Sequence, residues 1–260
     1  MEVQIFSDLH LEFHKTYPQI RKYADTLILA GDIGCINKTC FKKFIHYISR
    51  TWNQIYYVLG NHEYYHSKKT YHNLKTLYKQ FFSGFKNITL LDKSYEIVGN
   101  TCFIGCTLWG YFCKDNKDFN LSCLNNIKIK TINSQGDART TGISKEFFNS
   151  LYDDESEWLV ETINNMSQCK DIHKIIVITH YPLTTKGTSH PKYNGKNTLY
   201  ATDIDIPSGD TNIICISGHT HYSYDFYDKS GVHHLSNQLG YKDEYLTNET
   251  RFNNEGIFTI

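Results

Sequence analysis

Seven side chains able to hold a cation sit at the polar ends of apolar runs in this 260-residue sequence: Asp8, His10, Asp32, Asn61, His180, His219 and His221. They offer carboxylate, amide oxygen and imidazole, a mixture suited to borderline divalent ions such as Mn, Fe, Zn, Ni or Co. Seven donors are too many for one tetrahedral ion. They match two ions that share a carboxylate and keep positions open for solvent and substrate, the layout of a two-metal hydrolytic site. Without metal, burying such a set would cost on the order of several kcal/mol per ion unless each were paired, and no Lys or Arg stands in these blocks to pair them.

The spacing says how the donors are aimed. On a strand, residues i and i+2 point the same way, so Asp8/His10 and His219/His221 are each expected to present both side chains to one cleft. Gly31, Gly60 and Gly218 beside them would let the backbone bend closely around it. The apolar runs 3–6, 27–30, 55–59, 175–179 and 213–217 each stop at one of the polar blocks. Continuous runs of this length read as strands buried on both faces. Between them, 40–51 (Phe41, Phe44, Ile45, Ile48) and 71–82 (Leu74, Leu77, Tyr78, Phe81) carry helical spacing. Strand and helix in alternation predict an α/β fold with parallel strands, whose ligands bind at the strands' carboxyl ends.

The middle of the chain has a different character. Segments 95–98 and 101–106 flank Gly99-Asn100 as a hairpin, and 114–141 is polar and weakly periodic, which predicts a loop-rich or partly helical cap. Two helices are expected, 143–151 and 155–166, the second led by Asp153-Asp154-Glu155 at its positive end. A long loop spans 183–198, and β character returns at 222–227, 232–236 and 256–260. One domain over residues 1–260 is expected, with cap insertions at about 110–142 and 183–198.

Composition narrows the partners. Lys+Arg and Asp+Glu stand at 27 each, so the basic excess of a general nucleic-acid binder is missing. None of the eight cysteines forms a CxxC pair, which argues against a zinc ribbon or a thioredoxin-type site. With neither a signal-like leader nor an apolar run of membrane-spanning length, the expectation is a soluble cytoplasmic protein with reduced thiols.

The order Asp8-Leu9-His10, Gly31-Asp32, Gly60-Asn61-His62-Glu63, His180 and Gly218-His219-Thr220-His221 resembles the calcineurin-like metallophosphoesterase family, whose blocks are D-x-H, G-D, G-N-H-[ED], a lone H and G-H-x-H. The resemblance implies a four-layer αββα sandwich, central β-sheets flanked by helices, with two divalent metal ions as cofactor. It assigns Asp8, His10 and His221 to the first ion, Asn61, His180 and His219 to the second, and Asp32 as the bridge. It further implies in-line attack at phosphorus by a metal-bridging hydroxide, with His62 assisting the leaving group. Glu63 reads as a structural hydrogen-bonding residue, not a ligand.

Phosphoprotein phosphatases of that superfamily carry G-D-x-x-D-R-G. Here the block is Gly31-Asp32-Ile33-Gly34-Cys35-Ile36-Asn37, without the second Asp or the Arg. The phosphodiesterase or small-molecule branch fits better, and Trp109 and Asn237-Gln238-Leu239-Gly240-Tyr241 resemble small members from bacteria and phages. The expected substrate is a phosphodiester or a small phosphorylated metabolite, nucleotides included. A protein phosphatase or nuclease on the same site, or a non-catalytic scaffold, are the alternatives. Tyr64, Trp109, Arg139, His190 and Asn237 are the expected substrate contacts, with Tyr65, His66, Tyr111 and Tyr193 nearby; aromatics could stack on a base and Arg139 clamp a phosphate. The alternative for the aromatics is packing of the cap.

Overall fold

The structure is a computed structural model that describes residues 1–65, 68–113, 124–132, 138–193, 198–207, 209 and 211–260. Two β-sheets form the centre. In the first, β1 (Glu2–Phe6), β2 (Thr26–Ala30), β3 (Gln54–Val58) and β4 (Ile88–Leu90) run parallel, and β13 (Ile257–Thr259) pairs antiparallel with β1. In the second, β6 (Thr101–Cys106), β9 (Lys174–Thr179), β10 (Asn212–Ile216) and β12 (His233–Ser236) are parallel. Antiparallel edges close it: β5 (Ser94–Val98) on β6 and β11 (Tyr224–Tyr227) on β12.

The apolar runs are continuous because alternate residues serve two cores. Ile28, Ala30, Tyr56, Val58, Ile176, Ile178, Ile214 and Ile216 meet between the sheets, where Tyr56 stacks on Phe103 at 4.1 Å. Their neighbours Leu27, Leu29, Ile55, Tyr57, Ile175, Val177, Ile213 and Cys215 face outward into the helical layers. Each fully buried Val or Ile contributes roughly 1.5–3 kcal/mol. Helices α1 (Thr39–Thr51) and α2 (Tyr71–Phe82) bury Phe41, Phe44, Ile45, Ile48, Leu74, Tyr78 and Phe82. Layer order and class are those expected of an αββα sandwich.

Two readings of the middle change. Residues 143–166 hold one helix, α3 (Lys145–Ser167), where two were expected. Asp153 and Asp154 suggested a start, but no Gly or Pro interrupts the segment, and Asp154 accepts from Lys93 at 2.7 Å. Within the insertion at about 110–142, β7 (Lys128–Ile132) and β8 (Ala138–Gly142) pair as an antiparallel ribbon in place of a loop or helix. The alternation Lys-Ile-Lys-Thr-Ile carries that signal. Residues 114–123, 133–137, His66 and 194–197 of the two expected caps and the site loop lie outside the described residues. No helix among those described is long and apolar enough to cross a membrane.

One buried carboxylate ties the strand ends together. Glu63 accepts from the backbone N–H of Asp32 (3.0 Å), Ile33 (2.9 Å), Gly34 (3.3 Å) and Gly60 (2.8 Å), and from the Tyr57 hydroxyl (2.6 Å). These donors replace the water that a buried carboxylate would otherwise lose. The turn after β2 is thereby fixed to the turn after β3. The structural reading of Glu63 fits this geometry.

Glu63→Gln turns an amide N–H₂ toward backbone donors, so we expect a loss of roughly 2–4 kcal/mol, measured by urea unfolding; a wild-type midpoint would refute the tie. Glu155 is a second buried carboxylate. Burial pushes its carboxyl up to about 7, and it accepts from Leu108 N–H at 2.6 Å. The folded chain therefore keeps a proton that the unfolded chain releases near its ordinary value of 4.5, so stability falls as pH rises through that interval, by about 3 kcal/mol at 1.36 kcal/mol per unit. In Glu155→Gln, melting temperatures from pH 4.5 to 8 should lose most of that slope.

Candidate metal centre

Each chemical side chain follows the carboxyl end of a parallel strand: Asp8 and His10 after β1, Asp32 after β2, Asn61 and His62 after β3, His180 after β9, and His219 and His221 after β10. The backbone ladder continues into these turns, with Asp8 N–H donating to Gly31 C=O at 3.1 Å and His10 N–H to Asp32 C=O at 3.0 Å. A Cβ on Gly60 would lie 2.2 Å from Asp32 Oδ1, and one on Gly31 would lie 2.5 Å from His180 Nδ1, so neither position admits a side chain.

The expected strand alternation does not aim the paired ligands. Asp8, His10, Asp32, His219 and His221 lie beyond the strands and have φ of 54°, 46°, 53°, 72° and 51°. Left-handed backbone is costly for non-glycine residues, by about 1–3 kcal/mol each, and clusters at functional sites. It turns consecutive i, i+2 side chains to one side where a strand has already ended.

Three groups of donors converge, Asp8/His10/His221, His10/Asp32/His62 and Asp32/His180/His219, the ligand atoms of each lying within 4.8 Å of one another. Asp32 belongs to two of them. Asn61 joins through Oδ1, 2.9 Å from His180 Nε2. The structure thus brings together all seven residues expected from the sequence, with His62 beside them.

The donor set fits cations. His10 Nδ1 lies 3.1 Å from Glu12 and His221 Nδ1 lies 2.6 Å from Glu244, so each Nδ1 carries the hydrogen it donates. Their Nε2 atoms then face each other at 3.0 Å, a contact that needs a proton or a cation between them. His180 repeats the arrangement: Nδ1–H donates to Ala30 C=O at 2.9 Å, leaving Nε2 against two acceptors, Asn61 Oδ1 and Asp32 Oδ2 at 3.4 Å. His219 Nε2 is buried with no hydrogen-bond partner. Acceptors facing acceptors repel unless positive charge lies between them.

The proton affinities follow the same field. Burial opposes charging His221 and His180, yet Asp8 with Glu244 holds the first up at about 10 and Asp32 holds the second at about 9. Burial lowers His10, and burial with the neighbouring His180 lowers His219. Burial would raise Asp8 and Asp32, but the facing imidazoles keep both below the ordinary carboxylate value. His62 is raised in spite of burial by Asp32 and by Glu12, whose Oε1 lies 2.9 Å from Nδ1.

Three of the expected substrate contacts, Tyr64, Trp109 and Asn237, are buried. Tyr64 (1% exposed) and Trp109 (0%) are core residues, with rings 5.5 Å apart and packed on Tyr71 and Phe148. Packing accounts for both. Asn237 is buried and structural, donating to Ile5 and Asn253 C=O and accepting from Asn253 N–H. Arg139 is exposed on β8, and His190 packs edge-on against Tyr222 at 5.6 Å. The side chains that surround the centre were missed in the sequence. Tyr241 stacks on His10 at 4.6 Å and places its hydroxyl 3.2 Å from His62 Nε2. Tyr181 and Tyr200 cover His219 at 3.8 and 5.4 Å. An acid two residues after His10, and Glu244 three after Tyr241, were the available signals.

Residues 1–223 match the family model for calcineurin-like phosphoesterase. The uncharacterized protein L509 of Acanthamoeba polyphaga mimivirus is 30% identical over 232 residues, 84% of this chain and 79% of that protein. Among solved structures, phosphopantetheinyl hydrolase (PptH) from Mycobacterium tuberculosis has a TM-score of 0.63 at 14% identity, covering 94% of this chain and 91% of its own. A dimetal phosphatase from Danio rerio has a TM-score of 0.48 at 12% identity, over 92% of this chain and 87% of that one. With the family model spanning most of its length and the family's blocks meeting at one centre, the chain belongs to the calcineurin-like phosphoesterases.

Proposed function

We propose that this phosphoesterase hydrolyses a phosphodiester or a small phosphorylated metabolite, nucleotides included, in one catalytic domain whose two divalent ions are held by Asp8, His10, Asp32, Asn61, His180, His219 and His221. The observation that carries the ligand set is the facing of imidazole nitrogens and oxygens at 2.9–3.4 Å in both halves of the site, contacts that need a proton or a cation between them. Two such ions, when bound, lower the pKa of water and neutralise charge on the phosphoryl oxygens.

The chain's own residues supply the rest. Asp32, common to two donor groups, fixes the spacing of the halves and also accepts from His62 N–H at 2.7 Å. His62 stands outside the seven ligands with its Nε2 on the Tyr241 hydroxyl. There it can give a proton to the ester oxygen as the P–O bond breaks. Diester and monoester specificity would be set by the rim, where Phe13 and Tyr241 are 56% and 42% exposed.

Stripping metal with a chelator and adding back Mn, Fe, Zn, Ni or Co, against bis-p-nitrophenyl phosphate, p-nitrophenyl phosphate and cyclic nucleotides, tests the reading. Activity should vanish and return; a stripped protein that hydrolyses as before would overturn it. His62→Ala should lower kcat by about 10²–10⁴-fold while metal content by elemental analysis stays at the wild-type level. Loss of metal in that variant would make His62 a ligand instead.

A further inference from the structure

Glu12 and Glu63 are both buried carboxylates, and their surroundings differ. Glu63 is satisfied by backbone donors and a tyrosine, as a structural acid should be. Glu12 has Oε2 buried without a hydrogen-bond partner, while Oε1 lies 3.1 Å from His10 Nδ1 and 2.9 Å from His62 Nδ1. A carboxylate left half unpaired is a poor choice for stability, because an apolar or amide side chain costs less to bury. Its position makes sense only through the two imidazoles.

We propose that Glu12 is the positioning residue of the centre, one oxygen holding both His10 and His62 so that each ring turns its Nε2 toward the site. The backbone supports the arrangement. Glu12 lies in the short helical turn Leu11–Phe13, and Leu11 N–H donates to Ile33 C=O at 2.9 Å, so the turn is pinned to the one that carries Asp32. The rings of His10 and His62 pack edge to face at 4.5 Å, and Tyr241 stacks on the first while meeting Nε2 of the second. With Nδ1–H committed to Glu12, His10 offers its lone pair where His221 does. His62 likewise keeps the nitrogen that would hand its proton to the leaving oxygen aimed outward. A carboxylate behind a ligating imidazole fixes its tautomer, and losing it typically costs about 10–100-fold in metal affinity or activity. Here the same carboxylate serves a ligand and a proton donor together.

This inference rests on the hydrolase reading, and its test separates the two. In metal-free protein, long-range ¹H–¹⁵N spectra should show hydrogen on Nδ1 of both His10 and His62, with a second hydrogen on Nε2 of His62 in its donating form, and in Glu12→Ala Nδ1 of both rings should lose its hydrogen. In metal-loaded Glu12→Gln, which keeps size and one acceptor, chelator competition should show roughly 10–100-fold weaker metal binding. With saturating metal, kcat should fall about ten times further for an alkyl phosphoester than for the p-nitrophenyl ester, whose leaving group needs no proton. Unchanged tautomers in Glu12→Ala, or equal kcat losses for the two esters in Glu12→Gln, would overturn the assignment. A wild type that cleaves neither ester would defeat the hydrolase reading alone, and the spectra and metal titration would still decide Glu12.

Discussion

The constraint on which this molecule depends is the repulsion among electron-rich side chains gathered at the strand ends. His10 Nε2 and His221 Nε2, and His180 Nε2 with its oxygen neighbours, are held at hydrogen-bond distance, where only a proton or a cation between them makes the contact favourable. Left alone, such groups would rotate apart or take up protons, and the high proton affinity of His180 and His221 expresses that demand. The protein keeps them together by commitments made on their far sides. Each ring's other nitrogen is fixed by Glu12, Glu244 or the Ala30 carbonyl.

Those commitments need a rigid frame. Five of the nine non-glycine residues with positive φ among the described residues are donors of the centre, and such conformations persist only where the surroundings over-determine them. The two sheets, filled between by Ile, Val and the Tyr56–Phe103 stack, supply the stiffness. Glu63 passes it to the turns by joining the loop of Asp32 to that of Asn61 and His62. From the other sheet, Leu239 N–H donates to Ser7 C=O and Gly240 N–H to Asp8 C=O, both at 3.1 Å. The core therefore decides where ions can sit.

Much of this was legible in the sequence because it rests on residue type and order. Apolar runs ending in Asp, Asn or His announced parallel strands and a common end, and the Gly-Asn-His-Glu block placed Glu63 in a structural role. What was not legible depends on backbone angles and long-range approach. Strand alternation gave Asp8/His10 and His219/His221 the right common side for the wrong reason, since left-handed turns aim them. Aromatic identity could not separate a buried Trp109 from an exposed Tyr241, because both types serve cores and clefts. Nor could Glu12 announce its partner, His62, 50 positions away.

Separation along the chain also bears on when the centre comes into being. His10 and His221 meet across 211 positions, and His180 and Asn61 across 119. The first strand gains its antiparallel neighbour only from the last one, β13. Contacts of such span form slowly, since chain closure precedes their reward. On a ribosome the early donors emerge long before their counterparts, as a set too sparse to hold two ions. A donor set drawn from such distant positions would be complete only once both sheets have closed, and an ion held by it would tie early segments of the chain to late ones.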